Sequence, residues 1–240
     1  MHRFANPNQF LRIANPALPW CAWLAGISIA AGLYFGLFQS PPDYQQGETV
    51  RIMYIHVPAA WMAMFVYGGM AIASATALIW KHPLGFMAAK ASAPIGACFT
   101  AIALVTGMLW GKPMWGTWRV WDARLTSMLI LLFLYSGYIA LRYAFADRAR
   151  GAKAAAILAL VGAVNLPIIK FSVTWWNTLH QGSSVITMQG PKMVSSMLVP
   201  LLLLGLAYKG YYIWVLLVRM RAELTANKVR ILRLKQVHGG

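Results

Sequence analysis

The chain has 240 residues, of which 60% are hydrophobic and only 11% are charged. This composition excludes an ordinary soluble globular domain and indicates one polytopic membrane domain without a separate soluble module. A formal net charge of +16 could indicate nucleic-acid binding, but membrane topology explains it better, because basic residues collect on the cytoplasmic side of membrane spans.

Six apolar stretches approach the ~20 residues that a helix needs to cross a bilayer. We therefore predict an all-α fold with six transmembrane helices at about residues 18–38, 57–80, 86–110, 128–146, 154–170 and 196–218. Pro58 falls in the first turn of the second helix, where a missing N–H costs nothing. Pro94 should bend the third helix, and Pro167 should loosen the last turns of the fifth.

The distribution of basic residues predicts how these helices are oriented. If the N-terminus is cytoplasmic, fourteen Lys and Arg residues fall on the cytoplasmic side and six on the opposite, outer side. Six spans then return the C-terminus to the cytoplasm. There residues 219–240 form a basic tail that we expect to be helical and attracted to anionic membrane lipid. The outer side holds the connection 40–51, the stretch 110–127 and the long connection 171–195.

The outer stretch 110–127, WGKPMWGTWRVWDARLTS, is unusually rich in tryptophan. Trp110, Trp115, Trp118 and Trp121 lie beside several cations, and four large flat indoles in one loop indicate a surface that another molecule covers. A flat apolar ligand with acidic groups on one edge suits such a surface, and haem with its two propionates fits that description. The alternative is an aromatic belt, in which the tryptophans only anchor the protein at the lipid headgroups.

Two of the five histidines, His56 and His180, fall on the same outer side as the tryptophans. Because the residue before a proline avoids helical geometry, we expect Pro58 to leave the His56 imidazole outside the second helix. If the segment WWNTLHQG is helical, Trp176 and His180 share a face and Gly182 ends the helix. Two histidines from different connections can ligate haem iron from opposite faces, so His56 and His180 are the predicted axial ligands. The alternative for each is an interfacial histidine bonded to lipid or backbone.

Charged residues near the tryptophans have separate expected roles. Asp122 should cap the N-terminus of the fourth span and also orient Arg124 or a tryptophan N–H. Arg51 and Arg124 are the expected partners of the propionates, because a guanidinium matches a carboxylate. Arg119 could face solvent instead. Lys209 lies in the middle of the sixth span, where a cation is costly, and a subunit contact is one explanation for it.

These motifs resemble those of a known protein family. The stretch 110–127 is similar to the WWD signature of haem-handling proteins. Together with PPDYQQG, YIHVPAAW and NLPIIKFSVTWWNTLHQGSS it resembles the cytochrome c maturation protein C family, CcmC, over about residues 43–184. The resemblance implies a protein that presents non-covalently bound haem b on the periplasmic face of the bacterial inner membrane and delivers it to the haem chaperone CcmE. It also implies the ATP-binding cassette subunits CcmA and CcmB and the small membrane subunit CcmD as partners.

The resemblance also implies site residues. The two external histidines of the family fall on His56 and His180, and its signature residues fall on Trp115, Trp118, Trp121 and Asp122. The predicted haem-binding set is completed by Trp110, Trp175, Trp176, Arg51 and Arg124. Arg119 occupies a position of the signature that is often aromatic in the family, so the aromatic surface has one ring fewer here.

Other functions are less well supported by the sequence. A membrane electron-transfer cytochrome usually places histidines inside its spans, often as two pairs. A small-molecule exporter or haem permease would be favoured by polar residues that line the spans, and almost none of these are ionisable. Cys21 and Cys98 form no CxxC pattern, which argues against a disulfide, a zinc site or covalent haem attachment. No nucleophile–base pair is apparent on the outer side, so we expect no enzymatic activity.

Overall fold

The computed structural model describes residues 6–118, 121–176, 178, 180, 182, 185 and 190–238. In this part of the chain the α-helices are α1 (Pro7–Tyr34), α2 (Met53–Ile79), α3 (Pro83–Trp115), α4 (Ala123–Tyr143), α5 (Arg148–Gly162), α6 (Asn165–Trp175) and α7 (Ser195–His238). Six helical stretches are long and apolar enough to cross a membrane, with α5 and α6 together making one of them. The predicted all-α, six-span architecture is confirmed.

Several helices extend beyond the apolar stretches that predicted them. α1 begins at Pro7, because the side chain of Asn6 accepts a hydrogen bond from the Asn8 N–H at 2.9 Å and caps the helix. A π-helical turn, Phe35–Gln39, prolongs its other end. α3 continues to Trp115 and stops at Gly116, whose φ of 73° is left-handed and suits a residue without a side chain.

The fifth span is interrupted rather than loosened at its end. α5 finishes at Gly162, and α6 starts at Asn165. Pro167 therefore lies in the first turn of α6, where its missing N–H costs nothing, and the prediction that it loosens the last turns is wrong. The buried Asn165 side chain donates to the carbonyl of Ser127 at 2.9 Å, which fixes the start of α6 against α4.

A central core joins α2, α3, α4, α5, α6 and α7. Tyr135 is fully buried and donates its hydroxyl to the carbonyl of Ala63 at 2.8 Å, and the hydroxyls of Tyr212 and Ser92 lie 2.9 Å apart. Such hydrogen bonds supplement van der Waals packing where lipid provides little hydrophobic drive between helices. The outer ends of α2, α3, α4 and α6 consequently lie side by side, and the residues singled out from the sequence lie at these ends.

Smaller clusters of buried side chains lie at each end of this core. At the outer end, Tyr54 of α2 packs with Leu201 and Leu204 of α7. At the opposite end, Leu84 packs with Met220 and Leu224. Beside this inner cluster, Lys90 forms an ion pair with Glu223 at 2.7 Å. α7 is thus held at both ends of the membrane-spanning region, and the basic tail is a direct continuation of the same helix.

Candidate functional site

His180 is held by Asp122, the residue that caps α4. The Nδ1 atom of His180 lies 2.7 Å from Oδ2 of Asp122, while Oδ1 of Asp122 accepts from the Leu125 N–H at 2.7 Å. The predicted cap is confirmed, but the second partner of Asp122 is His180 rather than Arg124 or a tryptophan N–H. An ionised carboxylate can only accept hydrogen bonds, so Nδ1 of His180 carries the hydrogen and Nε2 keeps its lone pair.

The local environment keeps Asp122 ionised. Burial alone would raise the pKa of this carboxyl group, but the Leu125 N–H, His180 and Thr178 together lower the pKa below its usual value. Thr178 also accepts a hydrogen bond from the backbone N–H of His180 at 2.9 Å. Asp122 and Thr178 therefore attach the backbone and the ring of His180 to the start of α4.

His56 lies inside α2, so the expectation that it stands outside the helix is wrong. The 3-10 helix Glu48–Ile52 continues directly into α2, and the chain is already helical when it reaches Pro58. The proline removes only the N–H that would bond to the carbonyl of Tyr54, and Tyr54 is itself fully buried in the outer cluster. Tertiary packing thus outweighs the local preference of the residue before proline.

The ring of His56 is oriented by α3. Its Nδ1 atom lies 3.1 Å from the hydroxyl oxygen of Thr106, and that hydroxyl donates to the carbonyl of Ile102 at 2.6 Å. Because the hydroxyl hydrogen is already used, Thr106 accepts from Nδ1–H of His56. The Nε2 lone pair of His56 is therefore available, as it is in His180. His56 also lies within electrostatic range of His180.

Trp110 connects His56 to the first outer connection. The two rings meet edge to face with centroids 5.7 Å apart, and the indole N–H donates to the Gln46 side chain at 2.9 Å. Gln46 is positioned by a turn in which the Asp43 carboxylate accepts its backbone N–H at 2.9 Å. A Cβ added to Gly107 would lie 3.0 Å from Cε1 of His56, so the imidazole rests against the backbone of α3. The PPDYQQG turn therefore supports His56 indirectly.

The tryptophans of the signature lie beside His180. Trp115 is the last residue of α3, and its ring centroid is 5.6 Å from that of His180. Trp118 and Trp121 follow in the connection to α4 with 56% and 62% of their surfaces exposed. The Lys112 ammonium lies 5.7 Å from the ring centroid of Trp118. Trp115 thus ends a helix, whereas Trp118 and Trp121 lie outside the helices.

Trp175 and Trp176 form a separate aromatic group at the end of α6. Trp175 stacks on Phe171 at 5.2 Å and meets Trp176 at 5.8 Å. α6 ends at Trp175, and Trp176 is extended with φ of −128°. The condition for a helical face shared by Trp176 and His180 is therefore not met, because the described residues Trp176, Thr178, His180 and Gly182 lie outside any helix. Among the described residues, neither tryptophan has a ring contact or hydrogen bond with His56 or His180.

The two arginines assigned to the propionates differ in availability. Arg51 forms an ion pair with Glu48 and donates to the carbonyl of Leu37, so it ties the 3-10 helix to the end of α1. Arg124 is partly buried in the first turn of α4, and its guanidinium has no ion pair or hydrogen bond within the described chain. The Asp122 carboxylate acts on this guanidinium electrostatically but forms no hydrogen bond with it, so the Arg124 N–H groups can still donate to an acidic group. Arg119 lies outside the described residues.

Sequence reasoning missed the residues that orient the imidazoles. Thr106 is four residues before Trp110 on α3, so the two share a face, and a threonine beside a tryptophan in an apolar run was the available signal. Gln46 carried no such signal, because its partner Trp110 is distant in the sequence. Thr178 did offer a local signal, since it precedes His180 by two residues and accepts its backbone N–H.

Comparison with known proteins gives a consistent result. The profile of the family described as CcmC, heme exporter protein C, matches residues 1–235. The heme exporter protein C of Bradyrhizobium diazoefficiens is 54% identical over 232 residues, which cover 97% of this chain and 88% of the relative. That of Haemophilus influenzae is 52% identical over 224 residues, covering 93% and 91%. That of Escherichia coli K12 is 54% identical over 184 residues, covering 77% and 75%.

Proposed function

This chain belongs to the heme exporter protein C family, and from that premise we propose that it binds haem on the periplasmic face of the membrane and delivers it during c-type cytochrome biogenesis. The proposed recipient is the haem chaperone CcmE. The haem is haem b, held transiently and without a covalent bond. The chain acts as a binding and transfer platform in the bacterial inner membrane rather than as an enzyme.

The state of the two histidines is the observation that carries this proposal. In each ring Nδ1 is occupied by an acceptor, Asp122 for His180 and Thr106 for His56, so each Nε2 can donate its lone pair to iron. Haem iron accepts imidazole nitrogen as an axial ligand. Because the two rings come from α2 and from the chain after α6, they can approach a flat macrocycle from opposite faces.

The surroundings of the histidines suit the remainder of a haem. Trp115 lies against His180 and Trp110 against His56, while Trp118 and Trp121 offer exposed indole surface for the porphyrin. Arg124 provides an unpaired guanidinium for a propionate. The Arg51 guanidinium already binds Glu48 and a backbone carbonyl, and we expect it to contribute less to propionate binding.

Delivery requires that haem can leave again. Two nitrogen ligands without a covalent bond are exchangeable, and the exposed tryptophans leave the porphyrin edge open to a second protein. The partners proposed with CcmE are the ATP-binding cassette subunits CcmA and CcmB and the small membrane subunit CcmD. The name of the relatives favours a second candidate function, in which the chain itself exports haem across the membrane.

The test is the haem spectrum of the purified chain after replacement of the ligands. We expect a low-spin bis-imidazole spectrum for the parent chain, weaker binding for His56→Ala or His180→Ala, and loss of transfer to CcmE in either variant. His82→Ala, which changes the histidine just before α3 at the opposite end of the bundle, is the matched control and should behave as the parent does. An unchanged haem spectrum in the double His56→Ala, His180→Ala variant would refute the assignment of these histidines as iron ligands. Haem that reaches the outer face of sealed vesicles only when this chain is present would favour the export alternative.

A further inference from the structure

Lys209 lies near mid-membrane depth on the exposed side of α7. It follows Ser195 by about 14 residues and precedes Arg219 by about 10, which corresponds to roughly 21 Å and 15 Å along the helix axis. The hydrocarbon core of a bilayer is about 30 Å thick. A lysine stem reaches only about one helical turn, roughly 5 Å, so the ammonium group does not arrive at the headgroups by extension alone.

The ammonium group also points to a neighbour at its own depth. Its nitrogen lies 5.7 Å from the ring centroid of Phe65, which is near the middle of α2 and is 53% exposed. The face of an aromatic ring attracts a cation, but it does not neutralise the charge. Lys209 therefore presents an uncompensated charge on the exposed lateral surface of the helix bundle.

This chain has no carboxylate that could balance Lys209. It contains five acidic residues, and all of them lie at or beyond the ends of the membrane-spanning region: Asp43, Glu48, Asp122, Asp147 and Glu223. Three of the five already form ion pairs, with Arg51, Arg150 and Lys90. Asp122 accepts hydrogen bonds from His180 and the Leu125 N–H, and Asp43 accepts two backbone N–H groups in a turn. A second copy of this chain would bring no mid-membrane carboxylate either. The counter-charge must come from a different molecule.

Lys209 lies where the exposed faces of α7 and α2 meet, and this junction is called the groove below. On α7 the exposed side chains recur at intervals of three and four residues and form one stripe: Val199, Leu202, Leu206, Lys209 and Ile213. On the adjacent face of α2 the exposed positions are Phe65, Gly69 and Ile72. Gly69 lacks a side chain, and small residues allow the close approach of a membrane helix.

We propose that this groove between α2 and α7 binds a transmembrane helix of another protein, and that this helix carries an Asp or Glu at the depth of Lys209. The ammonium–carboxylate pair would then be formed in a low-dielectric setting, which gives both strength and register to the contact. The apolar stripe supplies the remaining packing surface. This inference does not depend on the haem site, which lies at the outer end of the bundle.

Site-specific photocrosslinking in native membranes tests the groove with Lys209 intact. A photoreactive amino acid at Leu206 should crosslink to the transmembrane segment of another protein, and mass spectrometry should find an Asp or Glu in that segment. The same probe at Phe133, which is 64% exposed at a similar depth on α4, is the matched control and should not yield this product. Crosslinks from Leu206 to lipid alone, or to a segment without an acidic residue, would overturn the proposal.

The charge itself is tested by co-purification of the crosslinked partner with an affinity-tagged chain. Lys209→Met should reduce its recovery by about tenfold or more, because one charge of a desolvated pair is left alone, whereas Lys209→Arg should largely preserve recovery. Lys209→Glu should lose the partner and regain it when the acid of the partner is changed to Lys. Unchanged recovery with Lys209→Met would refute the ammonium–carboxylate pair. The haem spectrum of each variant should match that of the parent, since the groove is remote from His56 and His180.

Discussion

Replacing Asp122 with Asn tests the link between helix capping and iron ligation. Both oxygens of this carboxylate are used, Oδ1 by the Leu125 N–H and Oδ2 by Nδ1–H of His180. An asparagine of nearly the same shape has only one oxygen, and its other terminal atom is an NH₂ donor. The variant therefore cannot accept at both positions, although it fills the same space.

Each orientation of the new amide has a definite cost. If its oxygen caps α4, its NH₂ faces His180, and the ring must place its hydrogen on Nε2, the atom required for iron. Changes in such supporting groups typically reduce metal affinity by about 10–100-fold, which corresponds to roughly 1.4–2.7 kcal/mol. If the amide is reversed, His180 keeps its useful tautomer but α4 loses its cap, at about 0.5–2 kcal/mol of stability.

The assay is a haem titration of the detergent-purified variant, followed by the Soret band and by thermal unfolding. Asp147→Asn is the matched control, because Asp147 caps α5 by accepting from the Ala149 N–H at 2.8 Å and holds no histidine. We expect Asp147→Asn to change only stability and Asp122→Asn to weaken haem binding as well. If Asp122→Asn kept the affinity and low-spin spectrum of the parent chain, the role assigned to the Asp122–His180 bond would be refuted.

Three further changes separate the remaining contributions. Thr106→Val should weaken haem binding by only about fivefold, since it removes a neutral hydrogen bond worth roughly 1 kcal/mol; a loss as large as that of Asp122→Asn in the same titration would contradict this ranking. Single changes of Trp115, Trp118 and Trp121 to Ala should each lower haem retention during purification, by about 0.5–1.5 kcal/mol beyond the lost area, while the low-spin spectrum persists. If all three variants retained and delivered haem normally, the tryptophans would be membrane anchors. A chain truncated after Arg221 should unfold at a lower temperature than one truncated after Asn227, because it loses Leu224 of the inner cluster and the ion pair of Glu223 with Lys90. Haem binding should survive in both truncated chains. Loss of haem binding would show that the tail contributes to the site.

Features governed by local rules were predictable from the sequence. Hydropathy identified the six spans, because a membrane helix must satisfy its backbone groups internally over a fixed thickness. The position of Asp122 before Ala123-Arg124-Leu125 predicted the α4 cap, since a cap depends on neighbours three residues away. The helix boundaries were less predictable. α3 reaches Trp115 because helical geometry persists until Gly116 provides a left-handed stop.

Features governed by distant contacts were not predictable in this way. His180 and Asp122 are separated by 58 positions, and His56 and Thr106 by 50, so no local pattern specifies either hydrogen bond. The helical placement of His56 also depends on burial of Tyr54 against α7, which overrides the preference of the residue before Pro58. Topology and the resemblance to a family both predicted His56 and His180, whereas only the structure defines the acceptors that orient the two rings.

Because α7 is long, the last basic residues of the tail lie too far from the membrane surface to be attracted by it. Beyond Arg219 the helix continues without a proline to His238, and Arg230, Arg233 and Lys235 lie about 17–24 Å farther along its axis. At physiological ionic strength the Debye length is about 8 Å. For a helix that continues along the membrane normal, lipid headgroups therefore attract Arg219 and Arg221, whereas salt screens the last cations from the bilayer. The second half of the tail then stands as a charged rod beyond the bilayer, where its charges act on solutes in the surrounding water.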